Sequence, residues 1–121
     1  MEGLRVLGKP AEYARRYSRA GWELLFIDVV ASLYGRNHLE ALLDETSHES
    51  YIPLTVGGGI RTAADAKRLF AAGADRVAIC TAAVKNPEVI DQIANRVGSQ
   101  AISVEIQAKR SRAGWEAYTD G

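Results

Sequence analysis

The sequence predicts an α/β domain built on a parallel sheet. Three observations predict it. Helical and strand-like patterns alternate along the chain at a spacing of about 25 residues. The strand-like segments are continuous apolar runs, the mark of strands buried on both faces. Glycine or proline stands at the joints. Strands of this kind need long right-handed crossovers. Two architectures satisfy that requirement: an open doubly wound sheet, or part of a (β/α)8 barrel. A full barrel takes about 250 residues, and the 121 residues here are enough for half of one.

The elements follow in order. Pro10 suits a first helical turn, Tyr13, Ala14, Tyr17 and Ala20 recur at helical spacing, and Gly21 is the expected cap. Leu24–Val30 reads as a strand buried on both faces. A loop over 31–37 contains Gly35, and Leu39, Leu42 and Leu43 mark a second helix. Ile52–Val56 is the next strand, with Pro53 near its start, where proline is tolerated. Gly57-Gly58-Gly59 makes a tight turn. Thr62 with Asp65 predicts a capping box for a helix carrying Ala66, Leu69 and Phe70, and Gly73 ends it. Arg76–Cys80 is the third strand. Asn86 is the expected cap of a helix with Pro87 first and Val89, Ile90, Ile93 and Val97 as its buried stripe, stopped by Gly98. Ala101–Ile106 is the fourth strand. Trp115–Thr119 reads as the second arm of a terminal hairpin within 107–121, with Gly114 in its turn.

Composition narrows the function classes. The chain is 47% hydrophobic and 25% charged, as expected of a soluble globular protein. Fifteen basic residues balance fifteen acidic ones, so no broad basic face for nucleic acid is expected. No apolar run approaches the roughly 20 residues that span a bilayer, and no membrane association is expected. Glu2, Arg5 and Lys9 break any signal-peptide pattern. Cys80 is the sole cysteine, which excludes an intrachain disulfide and speaks against a zinc cluster. The expected compartment is the cytoplasm, and the pattern calls for no cofactor and no metal.

Gly57-Gly58-Gly59 joins a strand to a helix. Glycines there let the backbone approach a ligand, and N–H groups at a helix start attract phosphate. A tight turn without ligand explains the same glycines. Thr81 follows the next strand at the equivalent end, where its hydroxyl would complete a phosphate site. Asp28 is a carboxylate in an apolar strand, a costly placement unless it is paired or faces water. By strand alternation it shares a face with Phe26, and Ser103, Glu105 and Gln107 share another. His38 and His48 read as solvated, Lys109 and Arg110 as a solvated turn after the last strand, and Cys80 as a packed side chain.

Phe26-Ile-Asp-Val-Val-Ala-Ser32, Ile52-Pro-Leu-Thr-Val-Gly-Gly-Gly-Ile-Arg-Thr62, Gly73-Ala-Asp75, Thr81-Ala-Ala-Val-Lys-Asn-Pro87, Gly98-Ser-Gln100 and Ala108-Lys-Arg110 occur in this order. As a set they closely resemble the cyclase subunit of imidazole glycerol phosphate synthase, of histidine biosynthesis. The resemblance implies a (β/α)8 barrel. It also implies a reaction in which ammonia from a glutaminase partner is used to cyclise a bis-phosphorylated substrate to imidazole glycerol phosphate. The match runs from just after the family's first strand to just after its fifth. The first-strand catalytic aspartate and the last three strands, with the second phosphate site, lie outside it.

The resemblance implies a phosphate site at Gly58, Gly59 and Thr81, with Asp28 and Cys80 as substrate-binding positions. Cys80 stands where the family has an asparagine. Gln107 stands where the family has its second catalytic aspartate, and an amide does not exchange a proton near neutral pH. Glu105 lies on the same face but roughly 6–7 Å deeper along the strand, an unfavourable place to substitute. Glu23 and Arg76 match a charged gate for ammonia at the opposite end of the barrel. These readings predict a single half-barrel domain over 1–121, holding family strands two to five, without unaided turnover. The other reading is a non-catalytic phosphate-binding half-barrel or a self-assembling structural module. Two unpaired edges, and an apolar inner face carrying residues such as Leu24, Phe26, Leu54 and Val77 or its neighbours, predict a homodimer or higher homo-oligomer. Closure would pair the Leu24–Val30 edge of one copy with the Ala101–Ile106 edge of the other. Docking of a glutaminase at the Glu23/Arg76 end is the remaining expectation.

Overall fold

A computed structural model describes residues 5–29 and 39–119. The predicted loop over 31–37, Val30 and His38 lie outside the described residues. Helix α1 covers Pro10–Ser18, strand β1 Leu24–Ile27, α2 Leu39–Ser47, β2 Leu54–Gly57, α3 Ala63–Ala71, β3 Arg76–Ile79, α4 Thr81–Lys85 and α5 Glu88–Val97. A 3-10 turn at Ser99–Ala101 leads into β4, Ile102–Val104, and the antiparallel pair β5, Gln107–Ser111, and β6, Gly114–Tyr118, follows.

Strands β1 to β4 are all parallel and lie in the sheet in the order of the sequence. Leu24 pairs with Leu54, Val56 with Val77, and Val77 with Ile102. The larger helices form one layer, with α1 packed on α2, α2 on α3 and α3 on α5. Leu54, Val56, Val77 and Ile79 of the sheet join Leu39, Leu43, Leu69, Val89 and Ile93 of the helices in one buried cluster. A doubly wound sheet reverses its strand order and covers both faces. Sequential order with one helical layer is instead the parallel (βα)4 half of a (β/α)8 barrel.

Side chains alternate along a strand, so the face away from the helices carries Leu25, Ile27, Thr55, Gly57, Arg76, Ala78 and Ser103. This corrects the expected inner face. Leu24, Phe26, Leu54 and Val77 pack against the helical core, because that layer takes the larger apolar groups. The expectation that β1 is buried on both faces also fails, since Leu25 is 61% exposed. Strand β1 is an edge with one neighbour, and on its other face Leu25 is exposed while Ile27 is half-buried.

Local signals explain the helix ends. The Thr62 hydroxyl accepts from the Asp65 N–H at 3.2 Å, and the Asp65 carboxylate accepts from the Thr62 N–H at 2.9 Å, completing the predicted capping box. Gly73 and Gly98 follow α3 and α5 with positive φ. Helix α1 stops at Ser18 with Arg19 as its cap, ahead of the expected Gly21. Helix α5 begins at Glu88 with Pro87, not Asn86, at the cap position; Asn86 contributes its carbonyl to the Val89 N–H at 3.1 Å. A terminal hairpin forms, with Arg110 opposite Trp115 and Ser111 opposite Gly114, so Gly114 opens β6 and the turn falls at Arg112-Ala113 instead of at the expected Gly114. Lys109 and Arg110 therefore lie in strand β5 and not in a turn. The 3-10 turn shortens the fourth strand at its start.

Candidate functional site

The C-terminal ends of the parallel strands surround a cavity of about 370 Å³. Site formation at this rim is general to parallel α/β folds. Ile27 and Ala78 from the open face of the sheet form part of its wall. Asp28 follows β1, Gly58 and Gly59 follow β2, Cys80 and Thr81 follow β3, and Glu105 and Gln107 follow β4, and all of them line it. Six residues singled out in the sequence thus converge: Asp28, Gly58, Gly59, Cys80, Thr81 and Gln107.

The glycine turn is held by the backbone. The Asp28 N–H donates to the Gly57 carbonyl at 3.0 Å, continuing the sheet one step past β1. Gly58 has φ of 106° and Gly59 of 68°, a region that favours glycine. A Cβ on Gly58 would collide with the Asp28 carbonyl oxygen. Close packing of two rim loops is therefore sufficient reason for a glycine at 58. The helix beyond the turn starts at Ala63, and its Asp65 N–H is already taken by Thr62. The expectation of a glycine turn placed directly at a helix N-terminus is corrected accordingly.

Thr81 opens the short helix α4, and Lys85 stands one helical turn further on. Arg61, Lys85 and Glu105 line the cavity and were not among the expected site residues. The Thr81–Lys85 spacing of four was the signal for Lys85. For Glu105 the signal was its alternation with Gln107. Its depth does not remove it from the site, because the cavity reaches both residues.

Glu23 and Arg76 lie at the other end of the sheet. Arg76 Nη1 is 3.1 Å from Glu23 Oε1, and the buried Thr55 hydroxyl donates to the same oxygen at 2.6 Å. The pair bridges β1 to β3 across the open face. Both charged side chains are more than two-fifths exposed, so the Coulomb part of the pair is weak. At the α3 cap, burial pushes the Asp65 carboxyl up. The hydrogen bonds it accepts from Arg61 and Thr62, with the Arg68 charge, outweigh this and hold it below the ordinary carboxylate value.

Imidazole glycerol phosphate synthase subunit HisF of Legionella pneumophila is 53% identical over 122 aligned residues, covering 99% of this chain and 58% of that protein. The subunit of the same name from Dictyoglomus thermophilum is 45% identical, with 98% of this chain and 48% of that protein aligned. That of Natranaerobius thermophilus is 44% identical, with 98% and 47% aligned. The chain spans about half the length of the curated relatives it matches. No helix among the described residues is long and apolar enough to cross a membrane. The sequence profile of histidine biosynthesis proteins matches residues 1–121, and the chain belongs to that family.

Proposed function

We propose that this chain is a phosphate-binding half-barrel of the cyclase type, one that does not turn over substrate unaided. The cavity at the strand ends supports the reading most directly. Gly58, Gly59 and Thr81 all line it, and so do Arg61 and Lys85, whose charge has the sign that an anion calls for. Asp28 and Cys80 serve as further substrate contacts in this reading. Gln107 stands at the cavity where acid–base chemistry needs a titrating group, and an amide does not supply one. The 121 residues act as a single domain in the cytoplasm, with a phosphate-bearing small molecule as ligand.

Two macromolecular partners belong to the same proposal. A second copy of the chain is favoured by the edges β1 and β4 and by the exposed Leu25. A glutaminase subunit would meet the Glu23/Arg76 end, in keeping with the likeness to the synthase subunits. An ammonia-dependent cyclase assay of the purified 121-residue chain tests the catalytic half of the reading. The expected result is no turnover above background, since losing one positioned acid–base group typically lowers the rate about 10²–10⁴-fold. Robust turnover in a preparation from a host lacking its own cyclase overturns it.

A further inference from the structure

Strand β4 ends at Val104, but its ladder runs one bond further, with the Glu105 N–H donating to the Ile79 carbonyl at 3.0 Å. That bond fixes residue 105 beside the end of β3. Ile102 packs on the helical core, so alternation puts Glu105 on the opposite face, over the cavity that it lines. The side chain is half-buried, and no group among the described residues bonds to or pairs with its carboxylate. A carboxylate partly withdrawn from water without a partner costs free energy, and a cation brought by a ligand recovers it. Thr81 and Glu105 follow neighbouring strands, which lie about 4.8 Å apart. Both therefore lie within the span of one small molecule.

Resting on the phosphate-site reading above, we infer that Glu105 selects the ligand: a phosphate monoester carrying a cationic nitrogen about four bonds from phosphorus, a length that bridges neighbouring strands. The phosphate lies at Gly58, Gly59 and Thr81, and the nitrogen donates to Glu105. Gln107, a neutral amide at the same cavity, does not provide this charge discrimination.

Phosphoethanolamine and propyl phosphate have nearly the same shape and differ in an ammonium against a methyl group. Their dissociation constants for the full chain, followed by amide shifts of Gly59 and Thr81, test the inference. Wild type should prefer phosphoethanolamine by about fivefold, the range of a half-exposed ion pair. Glu105→Gln should bring the ratio to about one, and Glu105→Asp, which keeps the charge, should hold it above one. A wild-type ratio of one, or a full preference in a folded Glu105→Gln chain, overturns the role of Glu105 and leaves the phosphate site standing. Binding of neither ester at millimolar concentration removes the phosphate-site reading and this inference with it.

Discussion

The carbonyl oxygen of Asp28 fills the space that a side chain on Gly58 would need. The backbone of Asp28, just after β1, and the glycine turn after β2 therefore pack closely beside the cavity that both line. Gly58→Ala would add both a steric clash and a side chain at positive φ, and the chain should lose about 2–4 kcal/mol. Urea unfolding followed by far-UV circular dichroism measures it. A loss below 0.5 kcal/mol, by the roughly flat response of ordinary surface sites, would contradict the packing account.

The α3 cap predicts an acid-sensitive component of stability. The folded Asp65 carboxyl titrates below its ordinary value of 3.8. A lowered folded value stabilises the chain above the unfolded value, and that stability is lost as pH falls through the folded value. Asp65→Asn should therefore flatten the stability–pH curve below about pH 4. Thr62→Ala should cost about 1 kcal/mol at neutral pH. An unchanged acid limb in Asp65→Asn would show that the cap does not titrate as described.

At the other end of the sheet, the two partners of one ion pair should respond unequally. Arg76→Ala removes a half-exposed charge contact worth about 0–1 kcal/mol. Glu23→Ala also strands the Thr55 hydroxyl, which is buried and donates to Glu23. Leaving a buried donor unpaired costs about 1–3 kcal/mol. Thermal or urea melts of the two variants should rank Glu23→Ala as the more damaging. The reverse order would locate the energy in the charge pair.

The proposed self-association draws on the open face and the edges of the sheet. Light scattering at micromolar concentration should give a mass above the 13.1 kDa of one chain. Hydrogen exchange should then be slow at Leu24–Ile27 and Ile102–Val104 if the edges meet. A stable monomer would reject association. A dimer with both edges exchanging fast would reject a closed eight-stranded barrel.

The alternation of elements was legible because each strand of the parallel sheet is a short, mainly apolar run flanked by turn residues. The Thr62–Asp65 box was legible because its two bonds are local. Facing was harder. Leu24 and Leu25 look alike in sequence, and only the helical layer decides that Leu24 packs inward while Leu25 is exposed. Asp28, Gly58, Gly59, Cys80, Thr81 and Gln107 were singled out from the glycine turn, a carboxylate in an apolar strand and the family resemblance, and all six line the cavity. Arg61, Lys85 and Glu105 were not singled out: the Thr81–Lys85 spacing and the Glu105–Gln107 alternation are local signals, but neither pattern by itself marks a cavity residue. Their membership depends on how the ends of four strands are arranged around one cavity.

The claim on which the functional account stands is a phosphate site at the glycine turn. Titrating inorganic phosphate into isotopically labelled chain and following every backbone amide tests it most directly. The account predicts saturable shifts concentrated at Gly58, Gly59 and Thr81, reduced several-fold by Thr81→Val, with Glu23 and Arg76 at the far end unmoved. Unmoved amides at the glycine turn at millimolar phosphate, or shifts spread evenly over the surface, would contradict it.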